Sequence, residues 1–271
     1  MPNIDLLVLA IIQGITAFLP VSSSGHAILI PQFYCWPAQD VAMQVAIRLG
    51  TLLALLLYFW RDLLSMGQGA IKVLRGKRDG RVRLIGLLLV GALPALASGY
   101  FVDVYLSPRL SDPRIVAGAL IGFGLLLYIA DRLGLTVRRI EHMSWGSALA
   151  IGVFQCLAFI PGASRMGTGM TIARLMGFER PDAARFSLLL SIPVIASAGL
   201  YRGWTLLQVG DPIMLQRVGL VTALSAIAGF LAIAFLMYWL RRASFTPFVV
   251  YRVAMGLVVF YLLYVAGGFG C

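Results

Sequence analysis

QGITAFLPVSSSGH, residues 13–26, places polar chemistry inside a greasy segment and interrupts it. Leu6 to Ile12 runs apolar before it, and apolar sequence resumes at Ala27. Between them stand Gln13, Thr16, the Phe18–Pro20 turn, Ser22, Ser23, Ser24, Gly25 and His26, one of only two histidines. Bilayer hydrocarbon tolerates broken backbone only where protein or a cavity covers it. A hydroxyl cluster beside an imidazole therefore marks a site, the alternative being a polar helix-packing seam.

Composition fixes the class around this break. Hydrophobic residues make up 60% of the 271, charged residues 12%, and mean hydropathy is +0.91. Soluble domains carry about a quarter charged residues, so the chain reads as an all-α integral membrane protein. Apolar windows long enough to span fall at 41–60, 84–104, 114–131, 183–203, 216–240 and 247–268. Two further apolar pieces, 5–34 and 145–177, are each broken near the middle, leaving halves too short to cross. They read as re-entrant helical hairpins. The first fifteen residues lack a basic start and an A-x-A-like cleavage site, so they do not read as a removed signal peptide. Cys35, Cys156 and Cys271 are widely spaced and suggest neither a disulfide framework nor a metal site.

The net charge of +11 is a matter of topology. Arg61, Lys72, Arg75, Lys77, Arg78, Arg81 and Arg83 crowd into 61–83, which reads as a cytoplasmic loop, whereas 1–40 holds no Lys or Arg. Threading from that loop puts 132–144, 174–185 and 241–246 inside as well, and 1–40, 105–113 and 204–215 outside. The inside segments hold most of the remaining basic residues, among them Arg138, Arg139, Arg174, Arg180 and Arg185. Nucleic acid is not an expected partner. The bilayer is.

The chain repeats itself. With an offset of 141, Ala17, Phe18, Pro20 and Ser23 fall on Ala158, Phe159, Pro161 and Ser164, while Gln155 sits one residue out of step with Gln13. Three windows follow each broken hairpin. An odd number of crossings separates the copies, so 1–135 and 136–271 read as two inverted-topology repeats forming one membrane domain. The whole is then six spans and two re-entrant hairpins.

The second break, PGASRMGTGMT at 161–171, adds Arg165 among Gly162, Gly167 and Gly169. Glycines let backbone N–H groups approach a ligand, and a guanidinium grips two phosphate oxygens at once. A structural arginine bonded to helix-end carbonyls is the competing account. An intramembrane charge is costly enough to be functional by default. Arg165 facing Ser23, Ser24 and His26 would make an anion site with a reactive group beside it, suited to a lipid phosphate or diphosphate.

These two stretches resemble the paired motifs of the undecaprenyl-diphosphate phosphatases, the bacitracin-resistance family. FSLLLSIP (186–193), LGTLLALLLYFWRD (49–62) and SFTPFVVYR (244–252) extend the likeness over essentially the whole chain. The resemblance implies hydrolysis of C55 polyprenyl diphosphate to the monophosphate carrier, for cell-wall lipid recycling. It places the chain in the bacterial inner membrane as a multi-pass protein with its active site facing the periplasm, and it implies a divalent cation, Mg or Ca. It makes His26 the nucleophile or acid–base group, with Ser23 and Ser24 as candidate nucleophile and phosphate ligands. Arg165 becomes the phosphate clamp, with Ser164, Gln13, Ser22, Gly167 and Thr168 on the substrate side. Gln13 and the Ala17 position correspond to the metal side.

The departures from that pattern are specific. Ala17 stands where the family has glutamate, Met166 replaces the usual serine after Arg165, and Gln44 and Arg48 stand where an acidic residue and a Gln or His are expected. The only glutamates, Glu141 and Glu179, lie in predicted cytoplasmic segments. Neither break offers a carboxylate to a hard cation. Weak or disabled hydrolysis is one expectation. A polyprenyl-phosphate binding or translocating protein, or a divergent non-catalytic paralogue, is the other.

Overall fold

A computed structural model describes residues 4–36, 40–76, 79–101, 110–209 and 212–265. These residues form helices and their connections, with no strand among them beyond one isolated bridge between Arg138 and Phe178. We number the helices α1 (Ile4–Thr16), α2 (Ser23–Tyr34), α3 (Val41–Tyr58), α4 (Trp60–Leu74), α5 (Arg81–Phe101) and α6 (Pro113–Leu133). Then follow α7 (Trp145–Gln155), α8 (Arg165–Leu175), α9 (Arg180–Val209), α10 (Pro212–Leu240) and α11 (Thr246–Tyr264).

Among the described residues, five stretches are long and apolar enough to cross a bilayer: Val41–Tyr58, Arg81–Gly99, Pro113–Leu133, Met214–Leu240 and Thr246–Tyr264. They match five of the six predicted windows. The sixth, 183–203, lies within the 30-residue α9. Along α10, Ile227, Leu231, Phe235 and Tyr238 stand exposed at helical spacing, an apolar stripe that only lipid or another protein could cover. The chain is a multi-pass membrane protein.

The expected cytoplasmic loop at 61–83 is in good part a helix, α4. Its charges keep it below the threshold of an apolar window, yet Met66 and Gly69 are buried one turn apart while Arg61, Lys72 and Arg75 stay exposed. That spacing is amphipathic and helical. A second correction concerns Cys35, which is disulfide-bonded, whereas Cys156 is free. Sequence spacing carries no information on which cysteines meet in space.

The helices interleave the two halves of the chain. α1 packs on α10 and α7 on α5, while α3 meets α9 and α6 meets α11. Close approach depends on small residues. A Cβ on Gly152 of α7 would sit 1.9 Å from the Gly91 carbonyl oxygen of α5, so only glycine allows that crossing.

The four segments assigned to one side of the membrane converge. Arg185 bonds Asp62, Arg139 bonds Glu179, and Arg83 donates to the Met143 carbonyl at 2.8 Å. Asp131 anchors the group. It accepts from Arg174 at 3.0 Å, from Arg180 at 2.7 Å and from the Phe245 backbone N–H at 3.4 Å. Arg174 and Asp131 are nearly fully buried, at 1% and 4% exposure. Burial pushes the nearby Asp182 carboxyl up, with Glu141 and Glu179 adding to it. This electrostatic knot lies at one end of the molecule, and α8 runs from the second break down to it.

Candidate functional site

Each break ends in the same backbone device. Ser22 precedes α2 with φ +73°, and Ser164 precedes α8 with φ +71°. L-residues seldom occupy that region, at a cost of about 1–3 kcal/mol apiece. Each serine caps its helix. The Ser22 hydroxyl accepts from the Gly25 N–H at 3.3 Å, and the Ser164 hydroxyl from the Gly167 N–H at 3.1 Å. The Ser22 and Ser164 carbonyls accept from the His26 and Thr168 N–H groups. Two helices of 12 and 11 residues thus begin inside the protein, with the partial positive charge of their N-termini unspent.

Arg252 of α11 ties the breaks together. Its guanidinium is fully buried and donates to Pro20 O at 3.4 Å in the first break. In the second it donates to Gly162 O at 2.9 Å and Ala163 O at 3.0 Å, and Nε reaches Leu120 O of α6 at 3.2 Å. These carbonyls belong to irregular backbone that hydrocarbon could not satisfy. Gly162 sits at φ +99°, and a Cβ there would meet Val116 O at 2.5 Å, so the second break needs glycine at that point. In the sequence Arg252 is a lone charge within the apolar window 247–268. That cost was itself the signal that it has a task.

Around this brace the predicted residues fall as follows. His26 is buried, at 3% exposure, with Nδ1 2.7 Å from Ser22 O and Nε2 2.6 Å from the Tyr251 hydroxyl. Ser24 Oγ lies 3.3 Å from Ser22 Oγ, and Ser23 and Ser24 are half-buried at the first positions of α2. Arg165, the first residue of α8, lines a small cavity with Gln155, Ala158, Phe159, Ala95 and Val194. Arg48 of α3 is near enough to repel it. Gln155 is 3% exposed, and neither its Nε2 nor its Oε1 has a hydrogen-bond partner. Orphaned buried amides are rare, and this one sits beside Arg165 on the cavity wall.

Ser22, Ser164 and Gly167 carry the caps, and each serine keeps its hydroxyl proton free to donate. Thr168 is fully buried and donates to Arg165 O at 3.1 Å, holding the first turn of α8. Gln13 and Ala17 share one helix face, since the Ala17 N–H donates to Gln13 O at 2.9 Å. Tyr251 and Gln155 are the site residues that motif reading missed. Tyr251 is 225 positions from His26, and nothing in the spacing of either could pair them.

The donor set suits an anion and not a protein-held hard cation. Among the described residues no three His, Cys, Asp or Glu side chains cluster. Ala17 offers a methyl where a carboxylate would serve, and Arg165 and Arg48 would repel a metal ion. The Arg165 cavity instead offers phosphate oxygens its guanidinium, the N-terminus of α8 and the Gln155 amide, with Arg48 close by, while the Ser23, Ser24 and His26 side chains are not part of its lining.

Comparison with known proteins identifies the family. Residues 6–258 match the family model for the bacitracin resistance protein BacA. The chain is 46% identical over 268 residues to undecaprenyl-diphosphatase 1 of Rhodospirillum rubrum, covering 96% of this chain and 95% of that one. It is 43% identical to an undecaprenyl-diphosphatase of Desulforudis audaxviator (96% and 98% covered) and 44% identical to one of Thermomicrobium roseum (93% and 95%). The chain belongs to the bacitracin resistance protein BacA family.

Proposed function

We propose that this chain is an undecaprenyl-diphosphatase, with the terminal phosphates of the lipid held by Arg165 and attacked through His26. One observation carries the reading: Arg252 bonds carbonyls of both breaks, so the imidazole-bearing and guanidinium-bearing helices start from one shared brace. Arg165 and the N–H groups opening α8 take the phosphate oxygens. Nε2 is the atom through which His26 acts. It either bonds to the terminal phosphorus as the anhydride P–O bond breaks, or takes the proton of an attacking hydroxyl. Lipid monophosphate leaves in both cases, and where a side chain has taken the phosphoryl group, water then displaces that side chain from phosphorus and inorganic phosphate is released.

The placement in the membrane belongs to the same proposal. The two halves are inverted repeats, each a re-entrant hairpin followed by three spans, sited in the bacterial inner membrane. The site opens to the periplasm. The convergence of the basic segments at one end supports this orientation. So does the disulfide at Cys35, at the C-terminal cap of α2 on the opposite side of the threading, because disulfides persist in oxidising compartments.

Ala17 sets the level of activity. A glutamate there would lie one turn from Gln13 and supply an anionic ligand or a base, and alanine supplies neither. The test is phosphate release from C55 diphosphate by this chain and by Ala17→Glu, with and without chelator. The expected outcome is weak release by the native chain and a gain of about two to four orders of magnitude in the variant, abolished by chelator. No release from either, with movement of polyprenyl phosphate between leaflets instead, would overturn the hydrolase in favour of a carrier.

A further inference from the structure

His26 is the reacting group of the proposal above, and both its ring nitrogens are occupied. Nδ1 lies 2.7 Å from the Ser22 carbonyl oxygen. A carbonyl only accepts, so the hydrogen is on Nδ1. In the neutral ring Nε2 then carries the lone pair, and the phenol of Tyr251, 2.6 Å away, is its donor. The two rings are parallel within 2°, with centroids 5.6 Å apart. The next residue, Arg252, is fixed by carbonyls of both breaks and of α6. Helix α11 therefore carries, side by side, the brace that locates the breaks and the hydroxyl that meets His26.

We infer that Tyr251 is a positioning residue for His26: in the tautomer that the Ser22 carbonyl fixes, its hydroxyl caps Nε2 and holds the ring from the other side, leaving that lone pair poised but covered until an anion arrives. The inference rests on the phosphatase reading for its purpose, though not for its geometry. Two contacts on opposite sides of one ring define its orientation completely. A ring held only through Nδ1 could swing about χ2, and a ring in the other tautomer would present a proton where a lone pair is needed. Tyr251 is itself partly exposed, at 46%. Its hydroxyl can therefore turn from Nε2 to an entering phosphate oxygen without the helix moving. Once the hydroxyl has turned, Nε2 is uncovered beside the group it is to attack, and the same phenol donates to the phosphate.

Diethyl pyrocarbonate tests the cap directly, because it acylates an unprotonated, uncovered imidazole nitrogen. The chain has two histidines, and exposed His142 is an internal reference. In the full-length protein in detergent, Tyr251→Phe keeps the ring and removes only the hydroxyl. The ratio of His26 to His142 labelling, read by mass spectrometry, should rise roughly two- to tenfold, the worth of one neutral hydrogen bond. Histidine 15N NMR on the unmodified chain supplies the second measurement. It should show Nδ1 protonated and Nε2 unprotonated for His26. An unchanged labelling ratio, or an Nε2–H tautomer in the native chain, would overturn the inference. Neither measurement needs turnover, so failure of the phosphatase reading would appear separately, as absent phosphate release.

Discussion

The two breaks share a frame and differ in what they carry. Ser22 and Ser164 have the same unusual φ and cap a glycine N–H three residues on. One residue past the cap stands Ser23 in the first break and Arg165 in the second. Four residues past it stand His26 and Thr168. One copy of the device presents an imidazole and the other a guanidinium, the two groups between which the proposed function divides reaction and binding.

The frame also revises the alignment of the two stretches. An offset of 141 pairs Ser23 with Ser164, but the caps set the offset at 142, pairing Ser22 with Ser164 and bringing Gln13 into step with Gln155. The difference is absorbed locally. Cys156–Phe159 winds as a 3-10 turn where the first copy stays helical through Thr16, shortening the path from Gln155 to Ala158 by one residue. Gly162, at φ +99°, then restores the missing residue between Pro161 and Ser164.

If the breaks are one unit, removing their common brace should loosen both. Arg252→Met leaves the Pro20, Gly162 and Ala163 carbonyls without their donor and should cost about 3–5 kcal/mol of stability, as for a buried polar group losing its partner. Amide exchange at Gly25 and His26 should speed up together with exchange at Gly167 and Thr168. Faster exchange in one break alone would separate what we describe as joined.

The next expectation sharpens the division of labour. Arg165→Ala should weaken lipid-diphosphate binding by roughly 2–4 kcal/mol. Arg165→Lys should recover only part, since an ammonium lacks the planar fork. His26→Gln should leave binding close to native while phosphate release falls. Binding measured on immobilised protein with labelled C55 diphosphate would show this, and equal binding loss in the His26 and Arg165 variants would erase the contrast.

Much of this was legible in the sequence. The spans follow from apolar length, and the breaks from proline, glycine and serine inside apolar runs, because the bilayer punishes both patterns severely. His26 and Arg165 stood out for the same reason. Helix α4 was missed because its charges hid an amphipathic spacing, and the Cys35 disulfide because pairing depends on distance in space. Tyr251 was invisible for a related reason: a tyrosine in a span is ordinary until the chain folds it against His26. In the sequence Gln155 is only a mark of the repeat, and it is the packing around it that leaves its amide without a partner.

The smallest effect is the most discriminating test of the shared frame. Capping serines replaced by alanine lose about 0.5–2 kcal/mol, whereas glycine costs only a few tenths. At these two positions glycine should do better still, because it adopts positive φ without strain. Ser22→Ala and Ser164→Ala should therefore each destabilise the protein by that amount, and Ser22→Gly and Ser164→Gly by much less. The surroundings differ in one respect: Ser22 Oγ also lies 3.3 Å from Ser24 Oγ, a long contact between a buried and a half-buried hydroxyl that adds little. The carbonyl that receives His26 Nδ1 is backbone and survives every one of these substitutions. The two alanine costs should then agree within about half a kcal/mol, the usual error of additivity, when unfolding is followed in detergent. A gap well beyond that would mean the two serines hold different loads, and the likeness of the breaks would end at their dihedral angles.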